Sequence, residues 1–368
     1  VRIAVVGGGL FGCTAAIHLA RERHDVVLYE RAGVLMQAAS GINQGRLHEG
    51  YHYPRSLETA RQAQAGARSF VAEYGRAVIG HAGRQYYAIA REGSRVTPAG
   101  YGAFCRLAGL RGRALMGVQT SWLVDPAAVD CVLNVAEDRI DLARLRAIVV
   151  NRLEQARVEV RYEAATADLR AEYDRIVIAA YASTNEVAAE LGAPTVPLQF
   201  EVVEKPILRL PERLRGLGVV IMDGPFCCID PWGRTADGLH VMGHVEHAIH
   251  WRNVGLSPRV PPHLAPWLNR GLIAAAECAE HSRFGVMADD GRRFIPALAE
   301  AEHVGSMFTV RAVLPDRDHD DARPTMVEQI DEQVIRIFGG KLSCAVDAAR
   351  RTVDMIRAGA NQSERAAA

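Results

Sequence analysis

The chain opens on a short β-branched apolar run, Arg2 to Val6, which predicts a buried parallel strand. Cys13 to Arg21 follows with Ala16, Ile17 and Leu19 on one side, the pattern of a helix lying on a sheet. A second apolar run, Val26 to Tyr29, predicts another strand and stops at Glu30. Ser56 to Tyr74 is amphipathic, with Ser56 as N-cap, Glu58 in the first turn and Leu57, Ala60, Ala67, Phe70 and Val71 on the buried side. Gln85 to Ala90 predicts a strand and Thr97 to Leu107 a helix. Asp141 caps a helix over Leu142 to Ala156, and strands are expected at Val158 to Tyr162 and Asp174 to Ala180.

After Thr195 the period changes. Gln199 to Lys205, Val219 to Met222, Phe226 to Asp230 and Leu239 to Glu246 read as antiparallel strands, punctuated by Pro231-Trp232-Gly233 and Ala236-Asp237-Gly238. On the last of them His240, Met242, His244 and Glu246 share one face, and Leu239, Val241 and Val245 the other. A helix over Trp267 to Ala279 and a strand over Phe308 to Leu314 come next. A strand over Val334 to Phe338 then runs through Gly339-Gly340 into a helix from Cys344 to Arg357. This order predicts an α/β chain in which a Rossmann-like domain is interwoven with an antiparallel or mixed-sheet substrate domain. The expected split is 1–80, 141–194 and 325–360 for the first, 81–140 and 195–324 for the second, and 361–368 as a frayed tail.

The turn after the first strand is Gly7-Gly8-Gly9-Leu10-Phe11-Gly12, a G-x-G-x-x-G match between a strand and a helix. Gly7 permits the tight turn, Gly9 lets the backbone approach a pyrophosphate, and Gly12 lets the helix pack close to the strand. The helix N-terminus offers free N–H groups and the positive end of its dipole. Glu30, ending the next strand, can accept from both hydroxyls of an adenosine ribose, with Arg31 beside it; an acid there favours FAD or NAD over NADP.

Composition narrows the classes. The 368 residues are 49% hydrophobic, enough for a large core. Lys+Arg and Asp+Glu are both 43, which argues against a general nucleic-acid binder. No apolar stretch reaches the ~18 residues of a membrane span. The chain enters its first strand directly, so no signal peptide is expected. Seven Cys without a C-x-x-C pair read as free thiols in a reducing cytoplasm. High Ala and Arg content suggests a GC-rich bacterial genome, with a biosynthetic role as one option.

The opening motif followed by A-S-G-I-N-Q-G-R-L-H-E-G-Y-H-Y-P-R-S-L, residues 39–57, resembles the FAD-dependent oxidoreductases of the D-amino-acid oxidase superfamily. The nearest look is to its L-2-hydroxyglutarate oxidase and glycerol-3-phosphate dehydrogenase branches. The resemblance implies a glutathione-reductase-like FAD fold in which the motif, Leu10 and Phe11 included, holds FAD. It implies that Ser40, Gly41, Asn43, Gly45 and His48 line the isoalloxazine and ribityl chain. Val158 would lie against the adenine, Ala179 and Ala180 near the pyrophosphate or flavin, and Gly339, Gly340, Lys341 and Leu342 at the flavin N1–C2=O edge. Gln44-Gly45-Arg46 departs from the smaller residues common there, and Tyr181 replaces a commoner Gly. The antiparallel sheet would roof the flavin and form the substrate pocket.

Such a flavoenzyme oxidises a C–H bond next to an amine or hydroxyl of a small molecule, with O₂ or another electron acceptor. His48 is the first candidate base, with a structural or covalent-flavin role as alternatives. His244 and Glu246 are second candidates, against a solvated sheet face. His240, His244, His247 and His250 invite a metal reading, but an alternating strand followed by a turn does not converge them, so no metal is expected. Arg311 resembles the family's carboxylate-binding position, which would make the substrate carboxylate-bearing; Arg323 is its alternative, and a salt bridge to the Asp316–Asp321 cluster competes for either. An NAD-dependent dehydrogenase using the first motif alone, or a non-catalytic flavin-binding protein, are the competing functions.

Overall fold

The computed structural model describes the chain except for residues 82, 116, 234–236, 317–322 and 368. Most of the Asp316–Asp321 cluster and the start of the Ala236-Asp237-Gly238 turn therefore lie outside the described residues. Strand β1 (Arg2–Val6) feeds helix α1 (Leu10–Arg21), then strand β2 (Asp25–Tyr29). Both strands are buried after their first residue, as β-branched runs inside a parallel sheet must be. The sheet has six strands: β1 lies between β2 and Arg175–Ile178, followed outward by Val334–Phe338 and Met326–Gln329, with Glu159–Arg161 beyond β2. All pair in parallel except the edge strand Met326–Gln329. Three stretches far apart in the chain thus build one sheet.

Helix α2 (Leu57–Tyr74) starts where Ser56 Oγ accepts from Thr59 N, as its capping sequence predicts. Ala60, Ala67 and Phe70 are buried, but Val71 is 43% exposed and lies off the packed face. Asp141 caps Leu142–Gln155 by accepting from Arg144 N. Ile17, Leu19, Phe70, Leu145, Val149 and Val346 share the core between the six-stranded sheet and these helices.

The second sheet has ten strands. Its two longest strands, Leu198–Arg209 and Glu302–Val313, pair antiparallel along one edge from Gln199 to Arg209. Two strands share the other edge of Leu198–Arg209: Ile249–Gly255 takes Leu198 to Val203, and Leu239–His244 takes Ile207 to Arg209. The sheet forks between them, at Glu204, Lys205 and Pro206. Alternation sends Glu204 into a buried network with His250, Ser282 and Ser306, and Lys205 to the opposite face.

Two helical expectations differ from the structure. Trp267 to Ala279 is not one helix: Asn269 and Gly271 adopt φ of +58° and +78°, and only Ala275–Cys278 is α-helical. The final helix runs Ala345–Ala367, past the expected frayed end, because its Ala-rich tail favours helix. A helix at Phe284–Gly291 was not foreseen.

Candidate active site

One cavity of about 960 Å³ lies between the two sheets. Its first end is made of backbone. Gly7, at φ +116°, turns the chain out of β1, and a Cβ there would lie 2.6 Å from Ala179 O. Gly12 does not face the cavity: its Cβ would sit 1.9 Å from Gly7 O, so it permits the turn and helix to touch. At Gly9 a Cβ meets only Ser40 Oγ, at 3.2 Å, so that stretch of backbone is bare toward the cavity. Helix α1 has no acid in its first turn, and Leu10 N donates to Ser40 Oγ at 3.0 Å. Glu30 accepts from Gly8 N at 2.7 Å and from Ala32 N at 2.8 Å, which fixes the loop while lone pairs remain for hydroxyl donors. Arg31 reaches Glu186 and Ser183. Ala180 and Phe11 also line this end.

The loop from Ala39 to Tyr53 forms the cavity's flank. Asn43 Nδ2 donates to Ala39 O and Ser40 O, and its Oδ1 accepts from Gly45 N, closing the turn where Gly45 has φ +65°. Gly41 is packed against Met36 O, where a Cβ would sit at 2.5 Å, and does not line the cavity. Val158 does not line it either: its side chain belongs to the helix-side core, and Glu163, Ala164 and Ala165 stand at that end instead. Arg46 turns inward to the second sheet. Its Nε and Nη2 bond the Asp230 carboxylate at 2.7–2.9 Å, with both side chains buried.

His48 lines the cavity at φ +56°, and its Nδ1 is buried without a partner among the described residues. Burial first, then Arg46, His52, Lys341 and Arg323, hold its pKa well below the usual histidine range. His52 is lowered by burial and the neighbouring cations in the same way. The shift favours a neutral imidazole, a weaker proton acceptor but a usable hydrogen-bond partner, and speaks against its expected role as base. Gly339, Gly340, Lys341 and Leu342 complete this wall. Lys341 Nζ donates to Arg323 O and lies 4.8 Å above the Tyr53 ring.

The roof departs furthest from expectation. Arg311 lines the cavity, but its Nε donates to Glu201 at 2.6 Å and its Nη2 pairs with the same carboxylate. That edge of the guanidinium is committed, so it does not stand ready as a two-pronged clamp. His244 also reaches the cavity wall, with Nε2 2.9 Å from Asp290 and Nδ1 accepting from Glu246 N and His247 N. Both ring nitrogens are taken, which removes it as a base; Glu246 lies exposed in the turn beyond the strand. His244, His247 and Asp290 place ligand atoms within 4.8 Å of one another. Yet the two backbone donors at Nδ1 put the ring proton on Nε2, the atom a metal would need.

The residue that sequence reasoning missed is Lys205. It lines the cavity at the sheet fork, beside Gln44, Cys228 and Gly243. Burial first, then Arg311 and Arg46, push its amine down to about 8, against the opposing pull of Cys228 and Asp230. A signal was present: the chain has 41 Arg and only two Lys, Lys205 and Lys341, and both line this cavity.

A family model described as FAD-dependent oxidoreductase (DAO) matches residues 2–333. The chain belongs to this family. An FAD-dependent monooxygenase of Aspergillus flavus, kojA, is 37% identical over 81 residues, 22% of this chain and 19% of that protein. The FAD-dependent monooxygenase FPY4 of Fusarium mangiferae is 40% identical over 72 residues, 20% of each. The matched stretch thus spans about a fifth of these curated relatives. Among solved structures, glycine oxidase from Geobacillus kaustophilus superposes with a TM-score of 0.70 at 15% identity, covering 97% of this chain and 95% of that one. L-α-glycerophosphate oxidase from Mycoplasma pneumoniae, solved with FAD bound, gives 0.71 at 16%, covering 97% and 94%. These likenesses show the fold. The bare glycine cradle of this DAO-family chain, and a helix N-terminus whose N-cap Gly9 offers no side chain, fit the dinucleotide of an FAD-dependent family. Among its described residues no helix is long and apolar enough to cross a membrane.

Proposed function

We propose that this oxidoreductase removes hydride from a C–H bond next to an amine or hydroxyl of a small anionic substrate. The observation that carries the reading is the charge of the cavity wall. Glu30, Glu163, Glu186 and Glu190 stand at the glycine end beside Arg31, whereas the roof presents Lys205, Arg311, which Glu201 pairs from behind, and Arg323, with no carboxylate among its described lining residues. A negative substrate group is favoured there over the acidic glycine end. The glycine oxidase and glycerophosphate oxidase similar in fold act, by their names, on a carboxylate-bearing amine and a phosphate-bearing alcohol.

In this reading Gly7, Gly9, Leu10 and Phe11 hold the pyrophosphate of FAD, and Glu30 takes the ribose. Ser40, Asn43, Gly45 and His48 flank the isoalloxazine, with Gly339, Gly340, Lys341 and Leu342 along its other edge. When bound, FAD supplies the two-electron acceptor. The cations around His48 favour negative charge on a neighbouring ring and keep the imidazole neutral. Arg46, paired with the buried Asp230, fixes the flank against the roof.

The test is anaerobic bleaching of the purified holoprotein by a panel of amino acids, 2-hydroxy acids and glycerol phosphates. Flavin reduced by at least one anionic compound, and not by its neutral amide or unphosphorylated analogue, is the expected result. Flavin that none of them reduces would sink the reading.

A further inference from the structure

Lys205 stands at the fork of the roof sheet, where Leu198–Arg209 lacks a strand on one edge. Its backbone is held by Met307 on the other edge, and its side chain enters the cavity with Val203 from the same strand face. The charged and titratable groups facing it come from three elements: Arg46 of the flank loop, Cys228 and Asp230 of Cys227–Pro231, and Arg311 of Glu302–Val313. Arg46 and Asp230 are joined to each other, and Arg311 to Glu201. Among the described residues Lys205 Nζ makes no hydrogen bond or ion pair.

The residue type adds a second observation. Every other cation in the chain except Lys341 is Arg, which cannot give up its proton near neutrality. Lys341 is engaged by Arg323 O. A cavity needing only positive charge at position 205 would be served by guanidinium; an amine alone can alternate between charged and neutral.

We propose that Lys205 accepts the proton which the substrate's amine or hydroxyl loses as the adjacent C–H bond is oxidised. The inference rests on the function proposed above. In the balanced step the C–H pair leaves as hydride to the flavin, and the N–H or O–H bond breaks. Its electron pair forms the new C=N or C=O bond, and the proton ends on Lys205 Nζ as ammonium. Its lowered pKa keeps part of the amine neutral near pH 8, where it can act as a base.

Two lysines make a direct measurement possible. Holoenzyme labelled with ¹³C at lysine Cε should give two resonances, and the one lost in Lys205→Arg should titrate near pH 8 rather than near the ordinary ~10.4. A midpoint in the ordinary range overturns the proposal. Anaerobic bleaching by the fastest compound of the panel should rise with pH through the same midpoint. Lys205→Met and Lys205→Arg, each still carrying stoichiometric FAD, should bleach about 10²–10³-fold more slowly without that rise. Methylamine should restore part of the rate to Lys205→Ala. A pH limb that survives in Lys205→Arg overturns the role of Lys205 alone. Flavin that no panel compound bleaches overturns the proposed function and this role with it.

Discussion

The two ends of the cavity are made of different materials. The glycine end is backbone: Gly7 at positive φ, the bare stretch at Gly9, and the start of α1. The roof end is side chains that meet over long sequence distances, the ion pairs Arg46 with Asp230 and Arg311 with Glu201 and the hydrogen bond of His244 to Asp290. A backbone site must be written in glycine, because any Cβ would fill it. A side-chain site can be written with many residue types, provided the partners meet in three dimensions. Stability at the roof should therefore hinge on ion pairing, and at the glycine end on volume.

The largest effect that would break this contrast is at the roof. Asp230→Ala leaves Arg46 charged and buried, and should cost about 3–5 kcal/mol in urea unfolding. Arg46→Met combined with Asp230→Leu should recover most of that; failure to recover would mean the pair acts through more than its charge. At the other end Gly12→Ala drives a methyl into Gly7 O and should cost about 1–3 kcal/mol, with a weakened FAD content read from the absorbance ratio. If the variant keeps wild-type stability and FAD content, close contact is not what Gly12 provides.

A pH measurement sharpens the boundary between the two ends. Glu49, next to His48, is pushed up to about 7, by burial first and also by Asp138 and Glu137. A carboxyl with a raised folded pKa binds its proton more tightly when folded. Its effect is absent below about 4.5 and destabilises the fold increasingly as pH rises to about 7. Glu49→Gln should remove that slope, a gain of about 1–2 kcal/mol at pH 8 relative to pH 4 after solvent screening at a half-buried group. Parallel melting curves of wild type and variant from pH 4 to 8 check it. The smallest effect lies outside both ends: Asp141→Ala removes the cap bond to Arg144 N and should cost about 1 kcal/mol without changing the flavin spectrum.

The same contrast explains what could be read from the residues alone. β1, the glycine turn, α1 and β2 follow from local rules, as do the caps at Ser56 and Asp141. The strands of the roof were visible as alternation, but not which partner each side chain would meet. For Arg311 the competing partner visible in sequence is the nearby Asp316–Asp321 cluster and not Glu201, which lies 110 residues away; His244 looked available because Asp290 sits on a helix that was itself unforeseen. The Trp267 to Ala279 pattern misled because apolar spacing does not register a left-handed Asn269 and Gly271. Val158 was placed by resemblance rather than by its own environment, and the core claimed it. Lys205 needed no long-range information, only attention to how rarely the chain uses lysine.

The six-stranded sheet also sets a schedule for synthesis. β1 leaves the ribosome some 170 residues before its neighbour at Arg175–Ile178, and Val334–Phe338 follows later still. Until then one edge of a strongly apolar nascent sheet has no partner, while the roof strands emerge in between. Assembly of the glycine cradle is thus a late event in the life of each molecule, and truncations near residue 330 should expose sticky intermediates rather than smaller working enzymes.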